Sequence, residues 1–272
     1  MWAAPPPIRN EIGRYMTTTT DWDSIQQGNT FSRMIPITPP ASLPPRVVVG
    51  LNYMDMSNTD YVWRINAYVD EIGTNQFLAH IDTWATTSLY NGGVSWLRLA
   101  ASDPDFQCGV CSFSGEGTTS ISFGWRYDSP PSVFVGLCGF DIGDNPRISV
   151  YATDIDQVGF TLHAEKWGST DFYGCGATWI AFPSDKQGIQ CGTFGADYTI
   201  SESYAGSITF STALERSPMV FTAFTSLDVD REQSMRMRLD VKNVSAQGMD
   251  WSISTWGGSR IYAAQGAYIA LV

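Results

Sequence analysis

Three arginines and three tryptophans stand at matched positions along this chain, and together they have the chemistry to hold a sugar ring. Arg64 and Trp84, Arg147 and Trp167, and Arg236 and Trp256 are each 20 residues apart, and a tyrosine follows each tryptophan by 6, at Tyr90, Tyr173 and Tyr262. An indole offers an apolar ring face and a guanidinium offers a rigid fork of donors. Side by side on a surface they suit a pyranose, which stacks one face on the ring while its hydroxyls accept from the fork. The same pair at a contact between domains would serve packing alone, and spacing leaves both readings open. The three tyrosines divide in the same way between core and rim.

A longer frame carries these residues. Pro45, Pro131 and Pro218 each precede an aspartate by 10, namely Asp55, Asp141 and Asp228, and only the stretch from aspartate to arginine varies in length. That stretch reads as a loop, with the aspartates bracing its turn through local backbone hydrogen bonds. Trp96, Trp179 and Tyr268 close each copy inside apolar runs such as VSWLRL and ATWIAF, which read as core. A period of 83 to 89 residues exceeds solenoid units, so each copy is expected to be a small domain, with boundaries at 1–103, 104–186 and 187–272.

Strand parity places the arginine and the tryptophan. Trp63, Ile65, Ala67 and Val69 alternate with Arg64, Asn66, Tyr68 and Asp70; Ile148, Val150 and Ala152 alternate with Arg147, Ser149 and Tyr151; Met237, Leu239 and Val241 alternate with Arg236, Arg238 and Asp240. Period two means half-buried antiparallel strands, with the recurrent arginine on the outer face. In the following strand Phe77, Ala79 and Ile81 take the core side, and Trp84 falls with the polar parity; a bulge between them would reverse this. A short loop, DEIGTNQ in the first copy, joins the two strands as a hairpin, so arginine and tryptophan share one surface.

Composition narrows the function classes. Of 272 residues 43% are hydrophobic and 13% aromatic, with 25 Gly and 14 Pro as turn punctuation, which suits a strand-rich compact chain. The net charge of −11 offers no footprint for nucleic acid or an anionic membrane, and no apolar run is long enough for a bilayer. The start MWAAPPPIRNEIG lacks the basic and apolar regions of a signal peptide, and five cysteines cannot all pair. The expectation is synthesis in the cytosol, with any release by a route that needs no leader. Cys108 and Cys111 form a lone CxxC without the second pair a zinc site requires, so no metal and no cofactor is expected. His80 and His163 share one repeat position that the third copy fills with Ser252, and no nucleophile elbow or phosphate loop occurs. An enzyme is not expected. A glycosidase with paired carboxylates is the catalytic alternative, and a scaffold that has lost its sugar is the structural one.

The pattern of PP-V-V-L and Asp, an arginine-bearing strand, TW-x-x-T with a following tyrosine, and a buried tryptophan strand resembles the H-type lectin domain of snail agglutinin and the discoidin C-terminal domain. About fifty residues of each copy carry the resemblance, here Pro45 to Trp96, Pro131 to Trp179 and Pro218 to Tyr268. It implies an all-β fold of three tandem six-stranded antiparallel β-sandwich domains. It also implies binding of galactose or N-acetylgalactosamine near domain interfaces, with glycans or glycoproteins as partners. Family members assemble as trimers, so three domains in one chain suggest a single-chain pseudo-trimer. Snail-type members stack trimers further, which would make a higher oligomer of such units. By the family pattern the sugar contacts fall on Arg64, Arg147 and Arg236 and on Trp84, Trp167 and Trp256, with an acidic residue from an upstream loop of the neighbour. Asp21, Asp23, Glu116 and Glu202 occupy the corresponding segments. The histidine that follows the tryptophan in snail agglutinin is replaced here by Ala85, Gly168 or Gly257.

Overall fold

The computed structural model describes residues 10–17, 28–57, 59–196 and 201–272. Eighteen strands dominate it, six from each repeat. The first repeat supplies β1 (Glu11–Met16), β2 (Thr30–Pro36), β3 (Arg46–Met56), β4 (Val62–Asp70), β5 (Gln76–Asp82) and β6 (Leu89–Leu99). The second supplies β7 (Gln107–Phe113), β8 (Gly117–Ser122), β9 (Ser132–Gly143), β10 (Arg147–Thr153), β11 (Gly159–Glu165) and β12 (Asp171–Phe182). The third supplies β13 (Ile189–Ala196), β14 (Ser203–Thr209), β15 (Met219–Val229), β16 (Met235–Ser245), β17 (Gly248–Ser254) and β18 (Ile261–Leu271).

Each repeat folds as a sandwich of three strands on three, and neither half ends at the repeat's own boundary. The three antiparallel sheets run β1-β6-β3-β16-β17-β14, β13-β18-β15-β10-β11-β8 and β2-β5-β4-β9-β12-β7. Strand β4 of the first repeat pairs with β9 of the second, β10 of the second with β15 of the third, and β16 of the third with β3 of the first. Every sheet therefore belongs to two repeats, and the pairing closes on itself. Edges that would otherwise expose unpaired backbone groups are joined to a neighbour.

Two layers of core follow from the sequence of the central strands. RVVVGL, SVFVGL and MVFTAF are apolar at nearly every position, the mark of a strand buried on both faces. Val49, Leu51, Val135, Leu137 and Phe224 point into the sandwiches, where Trp63, Phe77, Trp96, Trp179 and Tyr268 are also buried. Val48, Phe134 and Phe221 point the other way, into a second cluster with Leu97, Ile180 and Ile269 drawn from all three repeats. At matched positions in this cluster stand Gly50, Gly136 and Ala223, and a methyl group added at either glycine would overlap the Ala223 methyl. The space there admits one Cβ and no more.

The expected alternation holds over the strand centres, while Val69, Ala152 and Val241 are only half-buried and Asp240, expected on the outer face, is buried with Arg14 and Arg238 against it. Trp63, Ile65 and Ala67, Ile148 and Val150, and Met237 and Leu239 are buried, as are Phe77, Ala79 and Ile81. All five cysteines are free thiols.

The convergence of the three central strands generates a test. Gly136→Ala should overpack the junction and lower stability by roughly 1–3 kcal/mol in thermal or denaturant unfolding. Ala223→Gly in the same chain should recover most of that loss; no recovery would mean that the two positions do not share one space.

Candidate functional site

The recurrent arginine is met by an aspartate from the next repeat. Arg64 lies directly opposite Asp141, Arg147 opposite Asp228 and Arg236 opposite Asp55 in the ladders that join the repeats. The Nε to Oδ1 distances are 3.3, 3.2 and 3.1 Å. This corrects the reading of these aspartates as turn braces. The strands run on through them, their carboxylates reach across to a guanidinium, and the variable loop begins only afterwards.

The tryptophan joins the same carboxylate. Trp167 Nε1 donates to Asp228 Oδ2 at 3.1 Å, and the Trp256 indole donates to Asp55. Each tryptophan sits just beyond its strand, on a tight turn whose next residue has a left-handed backbone, with φ of 54° at Ala85 and 62° at Gly168 and Gly257. A Cβ at Gly168 would come within 2.7 Å of Arg147 Nη1, and one at Gly257 within 2.8 Å of Arg236 Nη1. Glycine there suits the backbone and makes room for the guanidinium. A hydroxyl three residues after each tryptophan ties the turn to the arginine strand. Thr87 donates to the Val62 carbonyl, Thr170 to that of Asn145 and Ser259 to that of Ser234, each two residues before an arginine. The TW-x-x-T pattern marks this position in the sequence without a role, and its identical offset from the tryptophan in three copies was the signal for one.

The tyrosines come from the aspartate's side of the junction. Tyr90, Tyr173 and Tyr262 are each skipped by the ladder beside Asp55, Asp141 and Asp228 respectively, so each is the extra residue of a β-bulge. Each tyrosine therefore comes from the repeat that supplies the aspartate, in the strand next to the one that carries it. Three composite sites result. Site 1 combines Arg64 and Trp84 with Asp141 and Tyr173; site 2 combines Arg147 and Trp167 with Asp228 and Tyr262; site 3 combines Arg236 and Trp256 with Asp55 and Tyr90.

Exposure and charge distinguish them. Trp84 is 38% and Trp167 36% exposed, whereas Trp256 is more covered and has Tyr53 against it, ring centres 5.2 Å apart. Tyr173 is 53% exposed at site 1. The site 1 ion pair is poorly aligned for a hydrogen bond, and Arg64 Nη1 and Asp141 Oδ1 are both buried without a hydrogen-bond partner. At site 3 burial raises the Asp55 carboxyl above its ordinary value, against the opposing Arg236 charge and the hydrogen bonds from Arg236 and Trp256. The Tyr262 hydroxyl at site 2 is also raised, first by burial and then by the Asp230 charge.

Glu116 and Glu202 are exposed on the loops that precede β8 and β14. The Glu202 carbonyl accepts from the Thr255 N–H, next to Trp256 of its own repeat, and neither glutamate pairs with a recurrent arginine among the described residues. Asp21 and Asp23 lie outside the described residues. A separate cavity of about 300 Å³ opens between the second and third repeats, lined by Val133, Val135, Tyr151, Ile155 and Tyr268, and includes none of Arg147, Trp167 and Asp228. The CxxC thiols Cys108 and Cys111 are raised by burial, and Cys138 and Cys175 are pushed up to about 12, so none is a ready thiolate. Among the described residues no group of His, Cys, Asp and Glu is placed to hold a metal ion.

Three sandwiches that share their sheets, each presenting an arginine and a tryptophan to the next, define a tandem β-sandwich protein with one candidate site at each junction. The family model of the H-type lectin domain matches residues 42–97, 118–182 and 206–271. The chain belongs to the H-type lectin family, a non-enzymatic family of carbohydrate-binding proteins. A search of curated proteins and a search of solved structures returned no match.

Two measurements follow from the junction chemistry. Arg236→Met leaves the Asp55 carboxylate buried and unpaired. It should cost roughly 1–3 kcal/mol, below the figure for a fully buried pair because the guanidinium is 22% exposed, and Asp55→Asn in the same chain should recover part of the loss. The second concerns pH. With its folded pKa raised, Asp55 binds a proton more tightly in the folded than in the unfolded chain, so it adds stability as pH falls through that pKa and withdraws it as pH rises. Thermal melts should show the parent gaining on Asp55→Asn as the solution is acidified; a gap that moves the other way would refute this.

Proposed function

We propose that the protein is a trivalent lectin for galactose-type glycans, with one binding site at each of the three junctions, in the arrangement of a single-chain pseudo-trimer. The observation that carries this reading is a partly exposed indole beside an arginine and aspartate pair at the Trp84 and Trp167 junctions. A galactoside has one face of C–H groups and hydroxyls around its rim. The C–H face stacks on the indole, the aspartate accepts from one hydroxyl, and the remaining guanidinium N–H groups donate to others. Such bonds to charged groups are shorter and stronger than neutral ones. Where snail agglutinin has a histidine after the tryptophan, this chain has Ala85, Gly168 and Gly257, so recognition rests on Arg, Asp and Trp. Glu202, tied through its carbonyl to the residue before Trp256, is the acidic candidate at the rim of site 3, from the tryptophan's own repeat rather than a neighbour.

A pseudo-trimer of this kind holds its sites on one body, which raises avidity for clustered glycans by on the order of 10²-fold or more over one site. The scaffold reading has its own support, because the arginines and two of the indoles are already bound to the junction aspartates. Arginine substitutions therefore affect both functions, as do changes at Trp167 and Trp256, and Trp84, whose indole is not one of those two, separates them.

A glycan array with the purified protein tests the proposal. Binding is expected to galactosides or N-acetylgalactosaminides, without turnover of an aryl glycoside. Trp84→Ala should weaken binding at its site about ten-fold, equivalent to about 1.4 kcal/mol, with the melting temperature nearly intact. Silence across the neutral glycans of the array would leave the scaffold reading standing.

A further inference from the structure

Beside each arginine and aspartate pair lies a second row of outward-facing positions, two residues along every strand. At site 1 this row reads Asn66, Gly139, Gly176, Ser112 across β4, β9, β12 and β7. At site 2 it reads Ser149, Ser226, Gln265, Gly195. At site 3 it reads Arg238, Tyr53, Gly93, Met16. The backbone is the same in all three, and the side chains make different surfaces of it.

Site 3 is filled along this row. Tyr53 lies against Trp256, and a methyl group at Gly93 would come within 2.8 Å of Tyr53 Cβ and 3.2 Å of Met16 Cγ, so both side chains close over the glycine. Arg238 stands at the end of the row, held by Asp240. Site 1 is open. A cavity of about 240 Å³ runs from Trp84 and Asp141 over Gly174 and Gly176 to Asn66 and Ser112. Two of the buried side-chain atoms without a hydrogen-bond partner, Arg64 Nη1 and Asp141 Oδ1, belong to this site, the latter 3.3 Å from Arg64 Nε. Buried polar groups of that kind call for a polar occupant.

We propose that the three sites are not equivalent: site 1 takes a chain-extended galactoside, its second sugar lying over Asn66, Gly139, Gly176 and Ser112, and site 3 takes a single terminal residue. This rests on the lectin reading above and specifies which ligand each site accepts. Hydroxyls of the first sugar bond to the exposed edge of the Arg64 and Asp141 pair, whose side chains are partly accessible. The Asn66 amide and the Ser112 hydroxyl, both exposed, offer donors and acceptors to the second. The glycines carry no side chain of their own, but Asn66 Oδ1 lies 2.7 Å from where a Gly139 Cβ would stand and Cys138 Sγ 2.9 Å from that of Gly176, so the second ring meets the Asn66 amide and the Ser112 hydroxyl rather than open backbone. At site 3 the same volume is occupied by Tyr53, which gives the terminal sugar a second aromatic wall and no space beyond it.

The experiment compares methyl galactoside, methyl N-acetylgalactosaminide and the disaccharides that extend each by one hexose, by calorimetric titration of the full chain. One site per chain should prefer the disaccharide about ten-fold. Asn66→Arg with Ser112→Met copies the side chains of site 3 at two exposed positions. It should abolish that preference while leaving methyl glycoside binding unchanged. Tyr53→Ser should open site 3 and create a second site with the preference. A disaccharide preference that survives Asn66→Arg and Ser112→Met, or three sites of equal selectivity, would overturn the inference and leave the lectin reading intact. No binding of any of these probes by the parent chain would overturn both.

Discussion

The pairing of one repeat's arginine strand with the next repeat's aspartate strand is the contact on which the rest of the molecule depends. It continues each three-stranded half of a sandwich into a six-stranded sheet, and it sets a guanidinium opposite a carboxylate at every junction. An isolated surface ion pair of this type would contribute little. Here the backbone ladder has already brought the two strands into register, so little side-chain freedom is left to lose. The carboxylate, almost covered at Asp55 and Asp228, would be costly without its partner. The tryptophan turn hangs on the same strand through its buried hydroxyl, so the position of the indole also derives from that pairing.

Because every sheet is shared, no repeat has a boundary at which it could separate cleanly. The second core, built from Val48, Phe134 and Phe221 and their neighbours, lies between the repeats and would be exposed by separation. Gly50, Gly136 and Ala223 show how closely the repeats approach, since one methyl fills the space that three positions face. Recognition and assembly are consequently made of the same residues. The side chains that would touch a ligand are those that hold neighbouring repeats together, and the row beside them shares that position, with Tyr53 packed on Trp256 across one junction. That row is where the three copies differ most, from bare glycine at Gly139 to a tyrosine at Tyr53.

Much of this was legible in the sequence, by a limited kind of argument. Parity placed Arg64, Arg147 and Arg236 on the outer face, because burial on one side of a strand enforces period two, and the apolar runs around Trp96 and Trp179 placed those rings in the core. Parity failed where the chain departs from regular pairing. Tyr90, Tyr173 and Tyr262 sit in bulges, which break the count by one residue without leaving a compositional mark. Asp55, Asp141 and Asp228 were read as loop residues because a variable stretch follows them and aspartate favours turns. Their partners lie in another repeat, beyond the reach of local propensity.

The sequence by itself determined the three-fold repetition, the all-β class and the face on which each recurrent arginine stands, since these follow from spacing and from alternating burial along single strands. Only the tertiary structure decided which repeats meet. Arg147 finds Asp228 81 residues away and Arg236 finds Asp55 181 residues away, and many other pairings would satisfy the same alternation. Strand periodicity says which way a side chain points. The shared sheets and the space between them decide what it points at.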